Sequence, residues 1–135
     1  RGLGDVYKRQ ILRRYIMGGK FSNKYGTITI SEEVIAQISG ITATECYGIV
    51  GMAARNVKDG IVQLLKGESL TKGIAVQVYE DDGISIEFHI IVEYGTKISA
   101  VTENLMSTVK YKVKDILGLD VKQIKVYVEG VRVDN

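Results

Sequence analysis

The chain has 135 residues, of which 45% are hydrophobic and 25% charged, and this composition favours one globular domain over a disordered chain. Its one cysteine excludes an intramolecular disulfide, and no apolar run approaches the roughly 20 residues of a membrane-spanning helix. We therefore expect a cytoplasmic protein that does not insert directly into a membrane.

The formal net charge of +2 is unevenly distributed along the chain. Residues 1–16 carry a net +4, which leaves −2 for residues 17–135. The first segment has no helical or strand periodicity, and Met17 opens a stretch that is typical of a natural start. We predict that 1–16 is a disordered or non-native leader and that 17–135 is a single domain. The alternative is a basic arm that touches an acidic surface.

The first predicted elements are a strand at residues 26–30 and a helix directly after it. Ile28 and Ile30 alternate with threonines, which predicts that both isoleucines face the core. Ser31 is a favourable N-cap, and two glutamates follow it in the first turn, where they suit the positive end of a helix. Apolar residues at helical spacing predict the buried stripe, which comprises Val34, Ile35, Ile38 and Ile41.

Residues 47–52 are typical of a turn or a short extended segment, and residues 56–65 of a second, weaker helix. A β-hairpin is predicted over residues 73–95, because hydrophobic and polar residues alternate on both sides of an Asp-Asp-Gly turn at 81–83. The side chains expected to face the core of the domain are Ile74, Val76, Val78, Ile84, Ile86, Phe88, Ile90 and Val92.

A long helix over residues 98–117 and a final strand complete the pattern. Apolar residues recur at spacings of three and four along the helix, at Ile98, Val101, Leu105, Val109, Val113 and Ile116, and Gly118 follows as its C′ residue. Ile124, Val126 and Val128 then alternate with polar residues as a strand. We predict an α+β fold of two layers, in which helices pack on one face of a mostly antiparallel sheet of about four strands.

The sheet face away from the helices is predicted to be open. Two interpretations remain for it: a solvated sheet face, or a surface that binds a protein partner through its aromatic and apolar groups. The candidate partner residues are Gln77, Tyr79, Glu87, His89, Ile91, Lys125, Tyr127 and Glu129.

The sequence contains no pattern that indicates an active site. Cys46 and His89 are the single residues of their types, and they fall on different predicted elements, so a nucleophilic pair is not expected. A standard zinc site needs about four Cys, His or carboxylate ligands, which this pattern does not group together. No phosphate-binding glycine loop occurs. We predict a protein that is not an enzyme, with no catalytic residues, no metal and no cofactor.

A GxxG motif at Gly48 and Gly51 offers an alternative function. It lies between two predicted helices and ahead of a hairpin and a third helix, which is the order of a KH-like RNA-binding module that clamps the nucleic-acid backbone with such a loop. The residues between the glycines are Ile49 and Val50, which favour burial, and the domain is acidic. Nucleic-acid binding is therefore the less favoured alternative.

Three stretches resemble the alkaline-shock-protein family of Gram-positive bacteria, at residues 24–53, 70–98 and 113–133. Their specific segments are A-T-E-C-Y-G-I-V-G-M at 43–52, T-K-G-I-A-V at 71–76 and V-E-Y-G at 92–95. Together the stretches span nearly everything after Met17.

This resemblance implies a non-enzymatic protein of cell-envelope homeostasis and stress tolerance. It also implies that the chain acts through protein partners, which include self-association or a membrane-anchoring protein. The protein would then be cytoplasmic, and peripheral at the membrane only through such a partner.

Overall fold

The computed structural model describes residues 20–54, 64–65, 67–79 and 83–133. The predicted leader at 1–16, most of the predicted helix at 56–65 and the aspartates of the 81–83 turn lie outside these residues. The elements in chain order are β1 (Lys20–Asn23), β2 (Gly26–Thr29), α1 (Glu32–Thr44), β3 (Ile49–Ala53), β4 (Leu64–Leu65), a 3-10 helix (Gly67–Gly73), β5 (Ile74–Val78), β6 (Ile84–Glu93), α2 (Ile98–Leu117) and β7 (Val121–Arg132).

Strands β1 and β2 form a small antiparallel hairpin of their own. The sequence predicted that Ile28 of β2 faces the core, and this is wrong, because its side chain is 47% exposed. The alternation of isoleucine and threonine is present, but β2 pairs with β1 and does not join the main sheet. Ile30, just beyond β2, is half-buried and packs against the core.

Helix α1 begins as predicted at Ser31, whose Oγ accepts a hydrogen bond of 3.2 Å from the backbone N–H of Val34. The predicted apolar stripe is only partly correct, because Val34 and Ile41 are exposed. The buried face consists mostly of small residues, namely Ile35, Ala36, Ser39, Gly40, Thr42 and Ala43. A Cβ at Gly40 would lie 3.1 Å from Cδ1 of Ile74, so the small face lets α1 lie close to β5.

Strand β6 is the centre of the main sheet. On one side, its first half pairs antiparallel with β5 and its second half pairs antiparallel with β3, which in turn pairs with β4. On the other side, β7 pairs with β6 in parallel along its whole length. The predicted α+β fold is confirmed, and the sheet is mixed. The predicted helix at 56–65 is wrong at its end, because Leu64–Leu65 is a strand.

The core lies between this sheet and the two α-helices. Helix α2 buries four residues at helical spacing, Val101, Leu105, Val109 and Val113, while Ile98 and Ile116 at its ends are exposed, contrary to the predicted stripe. Gly118 ends α2 with a φ of +72°, a left-handed conformation that glycine adopts without strain. The buried side of β6 contributes Ile84, Ile86, Phe88, Ile90 and Val92 to the same core.

Candidate interaction face

Seven of the eight candidate residues lie on β5, β6 and β7, on the side of the sheet away from the helices, and Tyr79 directly follows β5. The strand register places Glu87 opposite Lys125 and His89 opposite Tyr127. The structure therefore assembles five of the eight into a compact group, the His89 cluster, which comprises Glu87, His89, Lys125, Tyr127 and Glu129. Gln77 and Tyr79 lie to one side of this cluster along β5, and Ile91 lies toward the other end of β6.

His89 is held at the centre of the cluster by two carboxylates. Its Nδ1 lies 3.2 Å from Oε2 of Glu129, and its Nε2 lies 3.1 Å from Oε2 of Glu87. The Tyr127 ring stacks on the imidazole, with 4.8 Å between ring centroids and 13° between ring planes. These polar and aromatic contacts come from β6 itself and from β7, so His89 ties the two strands together.

The sequence placed His89 on an open sheet face, and this is wrong, because His89 is only 8% exposed. His89 is buried because β6 has neighbouring strands on both sides and because the Tyr127 ring of β7 covers the imidazole. Ser85, also on this face of β6, is buried as well. The middle of the face is therefore not open, and its exposed groups come from the neighbouring strands, with Tyr127 and Tyr79 each 44% exposed.

A β-bulge lies at Glu129. Val128 pairs with Ile90, and Gly130 pairs with Ile91, so Glu129 is an additional residue on β7. A second shift, between Val121 and Gln123, makes Lys122 another additional residue. Bulges of this kind often redirect a side chain beside a functional site and also protect an edge strand from pairing with other chains. Periodicity alone indicated neither bulge.

Ile91 is also buried, at 8% exposure, which corrects its predicted place on an exposed surface. It lines a shallow groove with residues that the sequence analysis did not select, namely Val50, Leu64, Gly130, Val131 and Arg132. Arg132 also forms an ion pair of 3.1 Å with Glu93. Ile91 and Gly130 are cross-strand partners because of the bulge at Glu129, and the isolated glycine at 130 is a sequence signal that could have indicated it.

Gln77 and Tyr79 form a separate polar contact at the end of β5. The Tyr79 hydroxyl donates to Oε1 of Gln77 over 3.2 Å, and the Tyr79 backbone N–H donates to the carbonyl of Gly83 over 2.9 Å. Tyr79 is thereby fixed at the hairpin end, at a distance along the sheet from Tyr127.

Cys46 lies on the opposite side of the sheet, within the core. Its Sγ donates to the carbonyl of Thr42 over 3.3 Å, and burial raises the pKa of its thiol above the ordinary value. A raised pKa keeps the thiol protonated and weakly nucleophilic. Within the described part of the chain, no group of three or more His, Cys, Asp or Glu side chains is arranged to hold a metal ion.

The Gly48 and Gly51 motif belongs mostly to strand β3 and is not an exposed loop. Gly48 has a φ of +83° in the turn before β3, Ile49 is buried, and Gly51 pairs with Ile91 of β6. A Cβ at Gly51 would lie 2.6 Å from Cδ1 of Leu64. This geometry gives the RNA-binding alternative no support, and that alternative stays a prediction.

Among the helices formed by the described residues, none combines the length and the apolar character needed to cross a membrane.

Comparison with known proteins identifies relatives over almost the whole described chain. YloU of Bacillus subtilis, an uncharacterized protein, is 48% identical over 88% of this chain and 99% of its own. Spy1614 of Streptococcus pyogenes, also uncharacterized, is 39% identical over 84% of this chain and 94% of its own. A crystal structure of Era in complex with MgGDPNP and nucleotides of 16S ribosomal RNA aligns with 84% of this chain and 35% of that chain, at 18% identity and a TM-score of 0.37, which is too low to carry an argument.

The family model that matches this chain covers residues 20–133, and it describes the alkaline shock protein family, with a cell envelope-related function. This match confirms the resemblance that the three sequence stretches indicated. The chain belongs to the alkaline shock protein family, whose function is related to the cell envelope.

Proposed function

We propose that this chain is a non-catalytic protein-interaction domain in cell-envelope homeostasis and the stress response. It binds a protein partner through the His89 cluster, with Tyr127 as the anchor residue. The partner classes are a membrane-anchoring protein and a second copy of this chain. The proposal includes no catalytic step and no cofactor.

The observation that carries the proposal is the way in which Tyr127 is held. Its ring stacks on His89, and His89 is itself fixed by the carboxylates of Glu87 and Glu129. The tyrosine is nevertheless 44% exposed. A tyrosine that is already ordered loses little conformational entropy when a partner covers it, and tyrosines of this kind are frequent among residues that dominate binding energy.

The surroundings of Tyr127 also suit a protein partner. Lys125 is exposed on the same face of β7, while Glu87 and Glu129 are half-buried beside it. An aromatic anchor within a rim of both charge signs is typical of protein interfaces. A nucleic-acid surface would instead need a concentration of positive charge, and the carboxylates of this cluster lie within hydrogen-bond distance of the central ring.

The test is capture of partners by the full chain and by two matched tyrosine variants. Tyr127→Ala removes the proposed anchor. Tyr111→Ala makes the same change on the exposed side of α2, where the wild-type tyrosine is 65% exposed. Each protein is immobilised and exposed to an envelope-containing lysate of the native organism, and self-association is measured separately by analytical ultracentrifugation.

We expect Tyr127→Ala to lose at least one specific partner, or the self-associated species, by tenfold or more, while Tyr111→Ala keeps it. Equal capture and equal self-association by both variants would contradict the proposed face. The cellular part of the proposal is tested by placing each substitution in the chromosome. Sensitivity to envelope stress should follow Tyr127→Ala and not Tyr111→Ala.

A further inference from the structure

We infer that the outer edge of β7 pairs with the same edge of a second copy of this chain, as two antiparallel strands related by a two-fold axis at Tyr127. This inference rests on the proposed function, because it chooses the second copy among the partner classes and states how the two chains meet. The pairing joins the two main sheets edge to edge and places the two His89 clusters side by side.

Strand β7 is an edge strand whose core-facing side chains are incompletely buried. Among the described elements, β6 is the one strand that pairs with β7, so the other edge of β7 presents backbone N–H and C=O groups to which a further strand can bond. Ile124, Val126 and Val128 pack against the core but are only half-buried. Phe88, at the centre of the sheet, is completely buried. An added strand would cover the apolar surface that these three residues of β7 leave exposed.

The residues around Tyr127 are self-complementary when two copies of β7 run antiparallel. A two-fold axis at Tyr127 places Val126 opposite Val128 and Lys125 opposite Glu129. Residues directly opposite each other in antiparallel strands point to the same face, so the valines meet on the helix side and the charges on the other side. Opposite charges in such cross-strand positions stabilise a sheet, and the symmetry makes each pair occur twice.

The charges of Lys125 and Glu129 also select this register. An axis at either residue would place its charge opposite the same charge, and an axis at Val126 or Val128 would pair neither charge with its opposite. Within the described part of one chain, Lys125 has no ion-pair partner. Glu129 contacts His89 through Oε2, and its second carboxylate oxygen can accept from a lysine.

The two bulges of β7 limit the pairing to one short segment. They lie at Lys122 and at Glu129, and the strand between them is regular. Bulges and charged side chains on an edge oppose open-ended association, so the regular segment favours a discrete pair of chains. The edge at β5 offers no comparable selection of register, because its five residues, Ile74–Val78, carry no charge.

A groove beside the start of β7 also suits a second copy. It lies between α2 and β7, and its apolar lining comes from Met106, Val121 and Ile124. Antiparallel pairing brings the end of one β7 beside the start of the other. Val131 and Val133, which are 47% and 57% exposed at the end of β7, then approach the groove of the second copy. Val131 pairs with the core-facing Val92, so it lies on the helix side, as the groove does.

Charge exchange across the axis is the direct test, with self-association of the full chain measured by analytical ultracentrifugation over a concentration series. Lys125→Glu places like charges opposite each other twice in each dimer and should weaken the dimer by about tenfold or more. Glu129→Lys should do the same. An equimolar mixture of the two variants should recover a mixed dimer, because each altered position then faces an opposite charge.

Lys24→Glu is the matched control for these variants. It makes the same charge change on the exposed turn between β1 and β2 and should leave the dimer unaltered. Circular dichroism verifies that each variant is folded. A monomeric wild type, equal association by all variants, or folded single variants that lose the dimer without recovery in the mixture would overturn the inference.

A cysteine on the axis gives a second test, which keeps Glu129 in place. Directly opposite residues of antiparallel strands have Cα atoms about 4.5–5.5 Å apart, a separation that a disulfide can span. In a Cys46→Ala background, Tyr127→Cys should form a covalent dimer on mild oxidation, which traps even a weakened pair. Tyr79→Cys is the control, because Tyr79 is equally exposed and follows β5, on the other side of β6. Cross-linking that is absent at 127, or equal at both positions, would overturn the pairing.

The Tyr127→Ala variant separates this inference from the proposed function. Recovery in the charge mixture, together with loss of the dimer in Tyr127→Ala, supports both. Recovery in the mixture with normal association and capture by Tyr127→Ala supports the β7 pairing and overturns Tyr127 as the anchor. A monomeric wild type that captures another protein through Tyr127 overturns the β7 pairing and leaves the binding face intact.

Discussion

The two faces of β6 are both buried at their centres, but by different kinds of interaction. Toward the helices, Ile84, Ile86, Phe88 and Ile90 are completely buried in apolar packing. On the opposite face, His89 is nearly as well buried, and its contacts are two carboxylates and a stacked tyrosine. One strand therefore supports a core that depends on volume and a surface cluster that depends on matched donors and acceptors.

This difference has consequences for substitution. Apolar packing has no direction, and its loss costs free energy in proportion to the space left empty. Hydrogen bonds and ion pairs are directional, and removing one partner leaves the other without its match. The two faces should therefore respond differently to changes in size and to changes in charge.

The largest effect is expected on the apolar face. Phe88→Ala should lower the free energy of unfolding by about 3–5 kcal/mol, because it empties the largest fully buried side chain of the core. Chemical denaturation followed by circular dichroism measures this loss. Phe88→Leu, which keeps most of the volume, is the control and should lose clearly less. A loss below about 1 kcal/mol for Phe88→Ala would show that this face is not the centre of the core.

A medium effect is expected when the central ring of the other face is replaced by an apolar side chain. His89→Leu should cost about 1–3 kcal/mol, because Glu87 and Glu129 lose their common partner and face each other as like charges. Part of the loss should be recovered in about 1 M salt, which screens the repulsion. His89→Gln retains a donor and should cost less. If His89→Leu were neutral at all salt concentrations, the cluster would contribute no stability.

A smaller effect is expected for Tyr127→Ala, at about 1 kcal/mol, since the ring is partly exposed and its loss opens one side of His89 without emptying the core. Comparing the thermal unfolding of Tyr127→Ala with that of Val126→Asp tests which side chains of β7 point toward the core. Val126 is half-buried and packs against the core, so a charge there should destabilise the domain much more. Equal destabilisation by the two variants would mean that the assignment of faces is wrong.

The smallest effect concerns Cys46, on the helix side of the sheet. Burial raises the pKa of its thiol, so the folded chain holds this proton more tightly than the unfolded chain does. The resulting stability is fully present below the thiol pKa of the unfolded chain, about 9.0, and is lost as the pH rises through the higher pKa of the folded state. Unfolding free energies between pH 8 and pH 10 should therefore fall more steeply for the wild type than for Cys46→Ala. Parallel slopes would contradict the shift.

The local elements were predictable because their signals lie within short windows of sequence. The alternation of residues 84–93 predicted β6 and the identity of its core face, and the predicted antiparallel pairing with β5 was confirmed. The N-cap at Ser31 and the glycine after α2 were confirmed in the same way. Each of these features depends on a side chain and its near neighbours, so local pattern is sufficient.

The pairing of strands and the burial of the second face were decided by the tertiary structure. The parallel pairing of β7 with β6 requires the connection through α2, and the exposure of Ile28 follows from its pairing with β1. The candidate residues were placed on one face by alternation, which the structure reproduces. Their roles within that face differ, because His89 and Ile91 are covered by side chains from strands distant in sequence. Alternation predicts on which side of a sheet a residue lies. Which neighbours bury that residue or pair with it depends on strand order, register and bulges, and these are properties of the folded chain.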